Sequence, residues 1–129
     1  MQGASALEKL LDQQREPRIR VFVVWEPVLL TDLGAPSTMT LRRVSDLRVS
    51  QYWDKEHLVS HLLGERDRRS VVWDYVAVYQ PGKFWDQAPP EPANSGVPVV
   101  RAIDRTRDVV KGILQSSSTL PHDSTYRSQ

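Results

Sequence analysis

Ile19-Arg20-Val21-Phe22-Val23-Val24-Trp25 is a run of β-branched and aromatic residues in which apolar side chains scarcely alternate with polar ones. A strand with one wet face alternates at a period of two, so a near-continuous run implies cover on both faces. The run is expected to be the central strand, and it demands a layer of structure on each side. Helical material flanks it. Ser5-Ala6-Leu7-Glu8 has the spacing of a capping box, and Leu7, Leu10 and Leu11 form one apolar stripe, predicting a helix over 5–15 stopped by Pro17. Beyond Trp25 a turn-rich stretch runs to Gly34-Ala35-Pro36, where Ser37 is placed to cap a short helix carrying Met39, Leu41 and Val44.

The rest of the chain continues the alternation. Arg48 to Trp53 reads as a second strand, followed by a helix capped by Asp54, carrying Leu58, Val59, Leu62 and Leu63, and stopped by Gly64. Val71 to Tyr79 reads as a third strand ended by Pro81-Gly82, and the proline-rich stretch from Phe84 to Gly96 as an irregular loop. Val97 to Ile103 is expected to be a last short strand, with Pro98 suited to an edge. Asp104 would cap a closing helix whose Val109, Val110, Ile113 and Leu114 face inward. The order α-β-α-β-α-β-β-α predicts an α/β domain over 1–115, with a mixed four-stranded sheet, helices on both faces and an extra N-terminal helix. The Ser-rich stretch 116–129 reads as a disordered tail.

Composition removes several functions. The chain has no cysteine among its 129 residues, which rules out thiol-disulfide exchange, disulfides, thiolate zinc and iron-sulfur centres. A formal net charge of +1 lacks the basic excess of a nucleic-acid-binding surface. No apolar run approaches the roughly 20 residues of a membrane-spanning helix, and the start lacks the basic and apolar regions of a signal peptide. A cytoplasmic protein is the expectation.

The order of elements over residues 18–114 resembles the thioredoxin-like fold. The segments Arg20-Val21-Phe22-Val23-Val24-Trp25-Glu26-Pro27, Asp46 to Asp54 and Val72 to Tyr79 are also similar to those of small bacterial thioredoxin-like proteins lacking the Cys-x-x-Cys motif. That group brings no known reaction with it. Redox-active relatives carry Cys-x-x-Cys after the tryptophan that follows the first core strand, where this chain reads Trp25-Glu26-Pro27-Val28-Leu29. They also carry a cis-proline before an antiparallel strand, where this chain reads Arg69-Ser70-Val71-Val72, and Pro98 lies one strand later. The resemblance therefore implies a topology and no catalytic residue.

Four Trp-acid pairs remain: Trp25-Glu26, Trp53-Asp54, Trp73-Asp74 and Trp85-Asp86. Glu26 and Asp54 follow two parallel strands and Asp74 stands near the start of an antiparallel one, so all three are expected at the edge where open α/β sheets bind ligands. Trp25, Glu26, Pro27, Trp53, Asp54, Trp73 and Asp74 form the candidate binding set. Core packing by the tryptophans and helix capping by Asp54 account for the same residues structurally. His57 and His61, spaced i,i+4, are candidate metal ligands that need a third from elsewhere. Arg66, Arg68 and Arg69 make a basic turn, able to grip an anion or simply to stay solvated. Phe84 and Trp85, at the start of the proline-rich loop, are anchors for a partner. The function expected is a non-redox binding or accessory module, without cofactor, recognising a protein or small ligand at the degenerate edge. The alternative is a metal- or carboxylate-dependent hydrolase using Glu26, Asp54, His57 and His61.

Overall fold

The computed structural model describes residues 2–29, 34–67 and 69–118. In chain order its elements are α1 (Gln2–Gln13), β1 (Val21–Trp25), α2 (Thr38–Leu41), β2 (Val49–Trp53), α3 (Leu58–Leu62), β3 (Val76–Val78), β4 (Asn94–Gly96) and α4 (Val99–Ser118). The class is α/β, as expected. The single four-stranded sheet is not formed: β1 pairs with β2 in parallel, and β3 pairs separately with β4, antiparallel. None of the described helices is long and apolar enough to cross a membrane.

The core lies where α1 covers one face of the β1–β2 pair. Leu10 and Leu11 of α1 are buried together with Val44, and Ala4, Leu7, Ile19, Val21, Val23, Val49 and Ile103 pack around them. Spacings of three and four put Ala4, Leu7, Leu10 and Leu11 on one side of the helix, and alternation puts Val21, Val23 and Val49 on one side of the strands. Each fully buried leucine or valine contributes about 1.5–3 kcal/mol. Among the described residues the opposite face is largely open, in contrast to the cover expected on both sides of β1. Phe22 and Tyr52 there are 68% and 53% exposed, with ring centroids 6.4 Å apart.

Arg48 joins the helical and strand layers. Its side chain is only 13% exposed and donates from Nη2 to Leu11 O (2.7 Å) and from Nη1 to Glu16 O (3.1 Å) and Gln14 O. These carbonyls end α1 and the turn after it, where no intrahelical partner exists. Asp46 completes the arrangement, accepting from Arg48 Nε at 2.8 Å and Nη2 at 2.6 Å. Side-chain and then backbone hydrogen bonds from Arg48 hold the Asp46 carboxyl down at about 2, against an ordinary 3.8. A second tie runs from Glu8 of α1, which accepts from the Ser45 backbone at 3.1 Å and hydroxyl at 2.8 Å.

The second half departs most from expectation. Asp74 has φ 50°, in the left-handed region, so an extended strand cannot run from Val71 through it, and β3 is confined to Val76–Val78. Val97 to Ile103 is not a strand. The Val97–Pro98 bond is cis, and the Pro98 carbonyl accepts from Arg101 N (3.0 Å) and Ala102 N (3.1 Å), opening α4. A proline at a helix start loses no hydrogen bond, because that N–H has no helical partner anyway. Asp104 accordingly sits inside α4, paired with Arg107 at 3.0 Å, and caps nothing. The helix runs on through Ser116, Ser117 and Ser118, whose hydroxyls donate to the carbonyls four residues back at 2.9–3.0 Å. The expected tail is therefore helical in its first three positions, and 119–129 lie outside the described residues.

Arg48→Ala is expected to lower stability by about 2–4 kcal/mol in urea denaturation, since it leaves α1 carbonyls and Asp46 without their donor. Arg48→Lys keeps the charge but not the planar fork, and should lose roughly half as much. Because the Asp46 pKa is depressed on folding, its contribution is present above an ordinary 3.8 and disappears as pH falls towards about 2. Acid titration of wild type should show that loss, and Arg48→Ala should flatten it. At Gly96 an added Cβ would lie 2.7 Å from the Ala102 Cβ, whereas at Gly112 it would meet nothing within 4 Å. Gly96→Ala should destabilise by about 1–3 kcal/mol, and Gly112→Ala, inside a helix, should stabilise by about 0.5–1 kcal/mol.

Candidate functional site

Parallel register sets Trp25 opposite Trp53, so the next residues, Glu26 and Asp54, leave adjacent strands at their C-terminal ends. The Asp54 amide donates to Trp25 O at 2.8 Å and keeps the exits together. Both carboxylates then meet the start of α3. Asp54 Oδ2 accepts from Val59 N at 2.8 Å and Glu26 Oε1 from Ser60 N at 3.1 Å. These amides belong to the first turn of α3 and have no helical acceptor, so the carboxylates serve as its caps.

The other end of α3 turns back to the same place. Gly64 has φ 117°, its N–H donates to His61 O at 3.2 Å, and the Glu65 N–H donates to Ser60 O at 2.9 Å. This is a Schellman stop, and it returns Glu65 to the front of the helix it terminates. Both Glu65 oxygens lie 3.1 Å from His57 Nδ1, while His57 Nε2 lies 2.7 Å from Pro27 O. A carbonyl and an ionised carboxylate both accept, so this pair of partners favours the protonated ring of His57. Burial, the largest influence on this histidine, lowers its pKa, but the bonds to Glu65 and Pro27 outweigh it and the net direction is up. Glu65, only 7% exposed, is held below its ordinary value by the Ser60 hydroxyl, against burial, and by His57. Ser60 is fully buried, and its Oγ also accepts from Val72 N at 2.8 Å.

Glu26 differs from its neighbours. Burial, and after it the negative charge of Asp54, push its pKa up to about 7, against the pull of the Ser60 amide and of His57. Glu26 therefore keeps its proton up into the neutral range.

The remaining expected residues divide. Trp25 Nε1 donates to Gln51 Oε1 at 2.9 Å, and Gln51 Nε2 donates to Leu41 O and Val44 O, so this tryptophan fastens β1 to the α2 segment. Trp53 is half-buried beside it. Pro27 contributes its carbonyl. Asp74 is bonded elsewhere: its Oδ1 and carbonyl accept from Val99 N at 3.3 and 3.0 Å, at the start of α4, and Trp73 beside it is exposed. His61 is exposed and donates from Nδ1 to His57 O at 2.5 Å. Both ring nitrogens of His57 are engaged, by Glu65 and by Pro27 O, and among the described residues no group of three His, Asp or Glu side chains is placed to hold a metal ion.

The basic turn is closed on itself, with the Ser70 hydroxyl accepting from Arg66 N and Asp67 N at 2.8 and 2.9 Å. Arg68 lies outside the described residues. Trp85 rests edge-on against Tyr79 at 6.0 Å, leaving Phe84 exposed. Ser60 and Glu65 were not legible as site residues, because each acts through partners on other segments. Gly64 was the local signal: a glycine stop makes the next residue the one that folds back.

Glu26 has a folded pKa raised above its ordinary 4.5, so the stability it contributes is complete below that value and is lost as pH rises through about 7. His57, also raised, adds to the same decline. Glu26→Gln should retain the bond from Ser60 N, remove part of the fall in melting temperature between pH 5 and 8, and be more stable than wild type above about pH 7. A wild-type and variant pair with parallel melting profiles across that interval would contradict the assignment.

No protein-family model, curated protein or solved structure matches the chain, and the chemistry of this edge is that of the side chains just described.

Proposed function

We propose that the chain is a non-redox, thioredoxin-like binding or accessory module that recognises a partner protein at the edge formed by Trp25, Glu26, Pro27, Trp53 and Asp54. The observation that carries this reading is an apolar rim on a fastened polar frame. His57 is bonded to Pro27 O, and the residues that follow them in the chain, Leu58 on one side and Val28 and Leu29 on the other, are 66%, 38% and 65% exposed. Exposed apolar side chains grouped on a rigid support mark interaction surfaces. A parallel pair, an antiparallel pair and a closing helix, in that order, support the thioredoxin-like part of the reading.

Glu26 favours a second reading. A half-buried carboxyl titrating near 7 beside a second carboxylate is suited to general acid-base work, and so to a carboxylate-dependent hydrolase built on Glu26 and Asp54. The two readings separate on different variants. Leu58→Asp, an exposed position, should keep the wild-type circular dichroism and lose the proteins that wild type captures from lysate; identical capture would reject the edge as the interface. A hydrolase instead requires turnover of a carboxylic or phosphate ester above background, with an inflection near pH 7 that Glu26→Gln removes.

A further inference from the structure

The groove between α1 and α4 contains no residue of the Glu26–Asp54 edge and has a volume of about 630 Å³. Gly3 sits against Val99, and Leu10 and Ile103 share the core cluster, so the two helices lie side by side and run in the same sense. Leu10, Ile103 and Val100 are apolar residues lining the groove, and Lys9, Arg43 and Arg107 line it as well. Among the described residues its only acid is Asp104, already paired with Arg107 at 3.0 Å. Among the described residues the side chains of Lys9 and Arg43 have neither an ion pair nor a hydrogen bond.

We propose that this groove binds a small anionic amphiphile, a single carboxylate on an unbranched apolar chain. The volume falls in the range of roughly 300–1,000 Å³ that small-molecule sites occupy, and clefts between helices are among their usual places. The charge is complementary: Lys9 from α1 and Arg43 from the segment after α2, neither of them ion-paired among the described residues, line a groove whose exposed lining is more apolar than polar. Lys9 and Leu10 both line the groove, so a carboxylate against the ammonium leaves its chain within reach of apolar side chains. Arg43 can grip the same carboxylate with two parallel N–H donors. The apolar chain replaces water on Val100 and Ile103, which is the favourable part of the exchange.

Sodium decanoate, titrated into the full chain below its micelle concentration by isothermal calorimetry, tests the assignment. Saturable binding near one per chain is expected, with decanol at least about tenfold weaker, because it presents no charge to Lys9 and Arg43. The Lys9→Glu, Arg43→Glu double variant, altered only at exposed positions, should weaken decanoate by a similar factor and keep the wild-type circular dichroism. Lys9→Arg with Arg43→Lys should restore it. Equal binding of decanol and decanoate, equal binding by the double variant, or no saturable binding would each overturn the proposal. Binding of an acidic amphipathic peptide without binding of decanoate would overturn it in favour of a protein occupant.

Discussion

Everything in the first half of the molecule depends on one guanidinium. Arg48 spans from Asp46 to the carbonyls of Leu11, Gln14 and Glu16, so a residue just before β2 determines where α1 ends and how it lies on the strands. The position of α1 determines which strand face is covered, and Leu10 and Leu11 fall onto Val21, Val23 and Val49 as a result. A strand face covered in that way resists slipping, because a shift of one residue would put Phe22 inside and Val23 in water. Register then sets Trp25 opposite Trp53 and brings Glu26 beside Asp54. The carboxyl pair is thus a distant result of where an arginine finds its acceptors.

Groups of charge at the end of a sheet are usually read as chemistry, and this one shows how much of such a group can be support. Asp54 and Glu26 satisfy two amides of α3, Glu65 neutralises His57, and His57 holds the loop at Pro27. Removing any one member would leave a partly buried group without its partner, which costs more than the surviving bonds contribute. Only Glu26 is set apart, because burial first, and the nearby charge of Asp54 after it, make its own ionisation costly.

The sequence was legible where local rules operate. The stripe of α1, the Ser37 cap, the two parallel strands, the Asp54 cap and the Gly64 stop all follow from neighbours within a few residues, and all are observed at or near their expected places. It was misleading where two local rules compete. Val97 to Ile103 contains enough valine and isoleucine for a strand, yet Val99, Ala102, Ile103 and Thr106 have helical spacing, and contact with α1 and the β3–β4 pair favours the helix. Asp74 was expected at the ligand edge from strand order alone; its left-handed backbone turns it to the start of α4 instead. The separation into two small sheets had no local signal, since pairing between β1 and the later strands is decided by packing over long sequence distances.

The closure of α3 on itself has a consequence for what the chain can tolerate. A helix of five residues is far too short to persist alone, and here it persists because His57 before it and Glu65 after it are bonded to each other. One inserted residue would rotate everything beyond it by roughly 100° and carry Glu65 away from His57. The outward side chains of α3, among them Leu62 and His61, can be replaced without unmaking the fold while that loop keeps its length. Variation in this segment should therefore take the form of replaced residues, never of added or deleted ones.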